Sequence, residues 1–356
     1  MNRKILSIWS CEQNLSNNTD WITLATVISA ISVVLLHTNG CFWRFSATES
    51  YWFSANIIES IFYFAVPVFF MISASTLLDF NKRYSLEIFF KKRITKTVIP
   101  YFFWSLIGVL FWHKAFLKAE SKVLYVLSGL LRGSLVGIYW FFIPLFSIYL
   151  SMPLYAAVPE EKRKGLFTYI SIVSFIICIF FPFMVNILGY SFKSSLTVGV
   201  GTGYLFFVPT GYLISHYEMK PQIRRAIYIL GIAGLLVHII GTYFTSMEAG
   251  KIIRTFKGYC NLPSILYAVA VFVFFKQYGN KLMQIKFIGC FVRFLVKYTF
   301  SIYLLHKFIM SLIEKFLPVN VFSLEYRLLI PVPIIAIIVF GTSIARKIPV
   351  GRRLLP

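Results

Sequence analysis

Long apolar runs broken by short polar segments set the pattern of this chain from end to end. About ten runs approach the twenty-odd residues needed to cross a bilayer. They fall near residues 21–40, 55–78, 98–113, 137–157, 166–188, 197–215, 226–245, 261–275, 298–317 and 327–345. None alternates with the short two-residue period of a transmembrane β-barrel strand. The pattern therefore predicts an all-α fold, a polytopic membrane bundle of about ten helices. Pro67, Pro144 and Pro209 lie inside predicted spans, where neighbouring helices re-satisfy the carbonyls a proline frees. Residues 114–136 mix lysine with leucine and valine and predict a helix lying in the membrane interface.

Composition agrees with that reading. Of 356 residues, 58% are hydrophobic and 13% charged, too few charges for a soluble domain of this length. No linker, repeat or low-complexity tract divides the chain, so residues 1–356 read as one transmembrane domain with polar ends at 1–20 and 346–356. The opening segment is too short in apolar residues for a cleaved signal peptide, and the first span is expected to serve as an uncleaved insertion signal.

The net charge of +22 would suggest nucleic acid in a soluble protein, but here the basic residues sit in loops between spans. If both termini are cytoplasmic, 23 of the 35 Lys and Arg fall in the inner segments 1–20, 79–97, 158–165, 216–225, 276–297 and 346–356. That asymmetry predicts both termini inside and places cations beside anionic headgroups. Cys11, Cys41, Cys178, Cys260 and Cys290 have no metal-binding spacing and are expected to fill packing space.

A few polar residues inside the spans carry the candidate chemistry. His37 stands near the outer end of span 1 and Glu59 near the outer end of span 2, within "NIIESIFYFAVPVFF". Ionisable groups at membrane depth are costly and mark functional sites. An imidazole oriented by a carboxylate is the usual device for taking a proton from a hydroxyl. The bland alternative leaves His37 at headgroup level beside the helix-ending "TNG". His306 lies deep in span 9, His238 is expected to form a helix-to-helix hydrogen bond, and His113 and His216 are expected at the interface. No histidine pair has metal-ligand spacing, so no metal is expected. In "FFKKRITKTVIPYFFWSLI", Arg93 and Lys96 are three residues apart and on an α-helix share a face suited to phosphates. On spacing alone, a positive-inside anchor explains them better.

Taken together, "VPVFFMIS", "KKRITKTVIPYFFW", "YWFFIPLFSIYLSMPL", "LFFVPTGYLIS" and "TFSIYLLHKF" occur in this order along nearly the whole chain. The pattern resembles the acyltransferase-3 family of bacterial membrane acyltransferases. Its closest likeness is to the branch that O-acetylates surface polysaccharides such as enterobacterial common antigen and O-antigens. The resemblance implies ten core helices in the bacterial cytoplasmic membrane. It also implies an acyl-CoA donor, usually acetyl-CoA, and as acceptor a hydroxyl on a glycan or its lipid-linked precursor. The family's span-1 histidine falls on His37 and its span-9 histidine on His306. Its basic pair falls on Arg93 and Lys96, with Lys for the usual second Arg, and its span-4 Trp-Phe on Trp140 and Phe141. Two positions depart from the family: an Arg is replaced by Thr26, and a His by Ile138. Asp20, Glu59 and Tyr139 are the candidate substitutes.

The expected reaction is acyl transfer. Arg93 and Lys96 would hold the phosphates of the donor. His37, oriented by Glu59, would deprotonate the acceptor hydroxyl, either directly or through an acyl-histidine. His306, Trp140 and Tyr139 would line the pocket. The rival reading is a non-enzymatic translocator of polysaccharide or lipid-linked glycan. A polymerase would need larger outer loops than those predicted.

Overall fold

The computed structural model describes residues 9–12, 19–112, 114–190 and 196–356. Expectations placed on Arg3, Lys4 and His113 lie outside them. The described residues form an all-α bundle with nine helical rods long and apolar enough to span a membrane. They are α1 (Asp20–Thr38), α2 (Tyr51–Lys82), α3 (Leu86–Trp112), α4 (Tyr139–Ala156), α5 (Glu160–Ile187), α7 (Pro221–Ala249), α8 (Leu262–Gln284), α9 (Lys286–Phe316) and α10 (Leu324–Ala345). The expected sixth span is shorter than its apolar run: a 3₁₀ turn, Gly203–Phe206, leads into the helix Phe207–His216, together called α6. It is buried along most of its length, from Phe207 through Pro209 and from Gly211 through Ser215.

α1 is the central rod. Of its membrane-length window 67% is buried, against 22% for α5, α7 and α10 at the rim. A rod walled on all sides can carry polar groups that lipid would not tolerate. It packs against α2, α8 and α9. The Trp21 N–H donates to Asn280 Oδ1 at 2.9 Å, tying the start of α1 to α8.

Contacts between rod ends define two faces. Asp79 at the end of α2 pairs with Arg163 near the start of α5 and with His216, 3.2 Å away, at the end of α6. On this face a two-residue-period exception appears: strand β1 (Trp9–Glu12) pairs antiparallel with β2 (Tyr217–Met219). The C-terminal helix Pro349–Leu354 comes to the same side, where Trp104 Nε1 donates to the Leu354 carbonyl at 3.0 Å. The described N- and C-terminal segments thus share one face, and α6 supplies the crossing that brings them there. On the opposite face the connections 39–50, 250–261 and 317–323 converge. There Phe322 lies 4.7 Å from Tyr51, and buried Arg327 donates to Ser54 Oγ at 2.9 Å.

The prolines act differently from one another. Pro67 has no N–H for the Tyr63 carbonyl four residues back, and α2 breaks at residues 63–64 between two helical halves. Pro144 and Pro209 sit in the first turn of their helices, where no donor is needed, and make no mid-span kink. In α3, residues 94–98 form a π turn just ahead of Pro100, where the ladder already lacks a donor. The interfacial region folds as two short helices, Lys114–Lys118 and Lys122–Arg132. Leu124 and Leu131 of the second are exposed at 66% and 77%.

Candidate active site

Gly133 determines where the aromatic wall of the site begins. It ends the helix Lys122–Arg132 in the left-handed conformation, with φ of 65°. A Cβ there would lie 2.7 Å from the Tyr139 carbonyl oxygen and 2.8 Å from Trp140 Cα. Glycine satisfies both demands, a positive φ and close backbone approach. The chain then turns immediately into the 3₁₀ segment Tyr139–Phe141. Tyr139 points into the core, where its hydroxyl donates to the Leu304 carbonyl at 2.8 Å. Trp140 points the other way, into a cavity of about 550 Å³. That volume is in the range of ordinary small-molecule sites.

The cavity lies toward the face opposite the termini. His37, near the C-terminal end of α1, is half-buried and contributes to its wall. The carbonyl of Ile138 and the hydroxyl of Tyr303 join across it, α4 to α9. Behind His37 stands His306, with ring centroids 5.0 Å apart and planes inclined at 31°. His306 is 1% exposed. Its Nδ1 meets the Ile302 carbonyl at 2.9 Å, and since a carbonyl only accepts, Nδ1 carries the proton. Nε2 is then a bare lone pair, with no hydrogen-bond partner among the described residues.

Glu59 also lines this cavity, but its partner is not His37. The carboxylate that neighbouring spans were expected to set against the imidazole accepts from Lys257 Nζ at 2.9 Å instead. Both residues are 3% exposed. Lys257 belongs to the connection 250–261, which folds back over the cavity as a strap. Burial holds its ammonium below the ordinary lysine range, while the Glu59 carboxylate pulls the other way. Its Nζ lies 3.7 Å from the centre of the Tyr63 ring, a cation–π contact at the break that Pro67 makes in α2. The second carboxylate oxygen of Glu59 has no partner among the described residues.

Aromatic faces complete the walls. Tyr259 of the strap stacks on Tyr63 at 4.0 Å and on Trp140 at 5.3 Å. At the mouth, the Arg254 guanidinium sits 4.8 Å over the Trp43 ring. Tyr63, Tyr259, Lys257 and Arg254 were not among the residues that the sequence singled out. The one available signal was three basic residues at a three-residue spacing, Lys251, Arg254 and Lys257, on a connection expected to face outward. Basic residues are depleted there by the positive-inside rule.

The remaining candidates lie elsewhere. Arg93 is half-buried, its guanidinium 5.6 Å from the Tyr149 ring, while Lys96 is exposed. The intervening π turn widens the helix, so three-residue spacing no longer places the two on one face. Neither lines the cavity around His37. Asp20 pairs with Arg293 at 2.8 Å near the start of α1, far along the rod from His37. Thr26 returns its hydroxyl to the Ile22 carbonyl at 2.7 Å and does not reach the cavity. Ile138, where the family's histidine is absent, does line the cavity. Among the described residues His238 makes no helix-to-helix hydrogen bond: neither ring nitrogen has a partner there, and the ring packs edge-on to Tyr63 at 5.2 Å. His216, the last residue of α6, is mostly buried; it stacks on Tyr212 at 3.8 Å and pairs with Asp79 at the rod ends.

A family model described as an acyltransferase domain matches residues 19–346 of the chain. No curated protein matches it. No solved structure matches it.

Proposed function

The chain belongs to the acyltransferase-3 family and is a multi-pass membrane acyltransferase, and on that premise we propose that it moves an acetyl group from acetyl-CoA to a hydroxyl of a cell-surface glycan or of its lipid-linked precursor. The observation that carries this reading is the cavity toward the face away from the termini. It brings His37 and the carboxylate of Glu59 into one chamber floored and walled by aromatic rings.

In this reading the protein sits in a bacterial cytoplasmic membrane with both termini inside. The donor approaches from the terminal face, where Arg93, with Lys96 nearby, attracts its phosphates. The acceptor enters from the other face. His37 takes the proton of the acceptor hydroxyl, the oxygen attacks the thioester carbonyl, and the carbon–sulfur bond breaks. The proton returns from His37 to the departing thiolate, so the imidazole ends neutral, as it began. His306 packs against its ring at 5.0 Å and limits how the imidazole can turn. Glu59 Oε2 is the acceptor available for a sugar hydroxyl. An acyl-His37 intermediate uses the same residues in two steps. Holding acceptor and donor in one chamber supplies much of the rate.

Mass spectrometry of surface glycan from cells with and without the gene tests the proposal. An acetyl mass present only in the first supports it. Glycan precursors trapped inside, with the polymer's acyl content unchanged, would instead identify a translocator.

A further inference from the structure

We propose that the acceptor carries an anionic group, a carboxylate or phosphate on its sugar, and that Arg254 receives it at the cavity mouth. The inference rests on the acyl-transfer reading for the role of the chamber, but not for its charge. Besides its tyrosines, the ionisable side chains that line the cavity, or pair with one that does, are His37, Glu59, Lys257 and Arg254. Glu59 and Lys257 cancel each other in a buried pair. Arg254 has no such partner. Among the described residues no carboxylate lies within 4.0 Å of its guanidinium, although Glu49 and Glu248 stand on the neighbouring connection and helix end. Its guanidinium instead rests on the Trp43 ring, with its fork of donors free.

A guanidinium laid on an aromatic face is held flat and loses little freedom when it binds. It offers two parallel N–H groups, which match a carboxylate or phosphate. Trp43 and Trp140 line the same cavity as Arg254, Trp140 being backed by Tyr259 at 5.3 Å and Tyr259 in turn by Tyr63 at 4.0 Å. Aromatic faces accept the C–H face of a pyranose, because its axial hydrogens are the apolar side of the ring. The arrangement is that of a sugar site with a cation at its rim. Arg254 is exposed at the mouth; a neutral glycan would leave it without a counter-charge, and an anionic one supplies it.

The test is binding to the full chain in lipid nanodiscs without donor, followed by isothermal calorimetry. The probes are methyl β-D-glucuronide, glucose 1-phosphate and neutral methyl β-D-glucoside. The expected result is that at least one anionic probe binds about tenfold tighter than the glucoside, the margin of a charge-assisted hydrogen bond. Which probe wins distinguishes a uronate from a sugar phosphate. In Arg254→Gln that ratio falls to about one, and in Arg254→Lys it stays between the two. Equal affinity for charged and neutral probes in the unaltered protein overturns the inference, as does no binding of any probe, or a ratio that survives Arg254→Gln. Acetyl-CoA turnover, measured separately, reports on the acyl-transfer reading: its failure leaves the binding ratio intact, and failure of the ratio leaves turnover intact.

Discussion

Two charges shut away from water at 3% exposure each hold the strap to the bundle: Lys257 and Glu59. Removing one partner of such a pair strands the other, at a cost of about 3–5 kcal/mol. Lys257→Met is therefore expected to lower the melting temperature of the purified protein substantially. Replacing both, in Glu59→Gln with Lys257→Met, is expected to recover most of that loss, because no uncompensated charge remains. If the double variant melts as low as the single one, the pair is not what anchors the strap. Residue by residue, the sequence disclosed unequal parts of this site. His37 and His306 were legible because a histidine inside an apolar run stands out. Lys257 was not, since it pairs with a residue 198 positions away and no periodicity records that distance. Adjacent spans suggested that Glu59 would face His37. Both residues line the cavity, but the partner of Glu59 is Lys257 of the strap.

At the level of elements, apolar run length made the rods legible, and what blurred them was local backbone chemistry. The π turn at 94–98 moved Lys96 off the face of Arg93, and the Pro67 break divided α2 at the depth of Tyr63. β1 and β2 carry no alternating signature in so few residues, and pairing them needs both ends of a long loop of chain. Gly133 is the element-scale control on the aromatic wall. Gly133→Ala forces an L-residue into the left-handed region, about 1–2 kcal/mol, and drives its Cβ against backbone at Tyr139 and Trp140. The expected outcome is a modestly lower melting temperature together with a larger proportional loss of acetyl transfer, because Trp140 shifts. Equal transfer per folded molecule would show that the turn does not set the position of Trp140.

For the whole molecule, the burial of α6 matters more than its length. With it, the described terminal segments lie on one face and the cavity lies toward the other, and the proposed separate entry of donor and acceptor rests on that arrangement. A reporter that matures only in the cytoplasm, fused after Pro356, should be active. So should a reporter active only outside, inserted within 250–261. A silent C-terminal fusion would mean that α6 does not cross and that the two faces are assigned wrongly. The central claim is that acyl transfer happens at His37, in the cavity under the strap. The most direct measurement compares surface-glycan acetyl content in cells lacking the gene, complemented with either the unaltered protein or His37→Ala at matched membrane abundance. The account predicts full restoration by the first and none by the second; acetylation restored equally by both would contradict it.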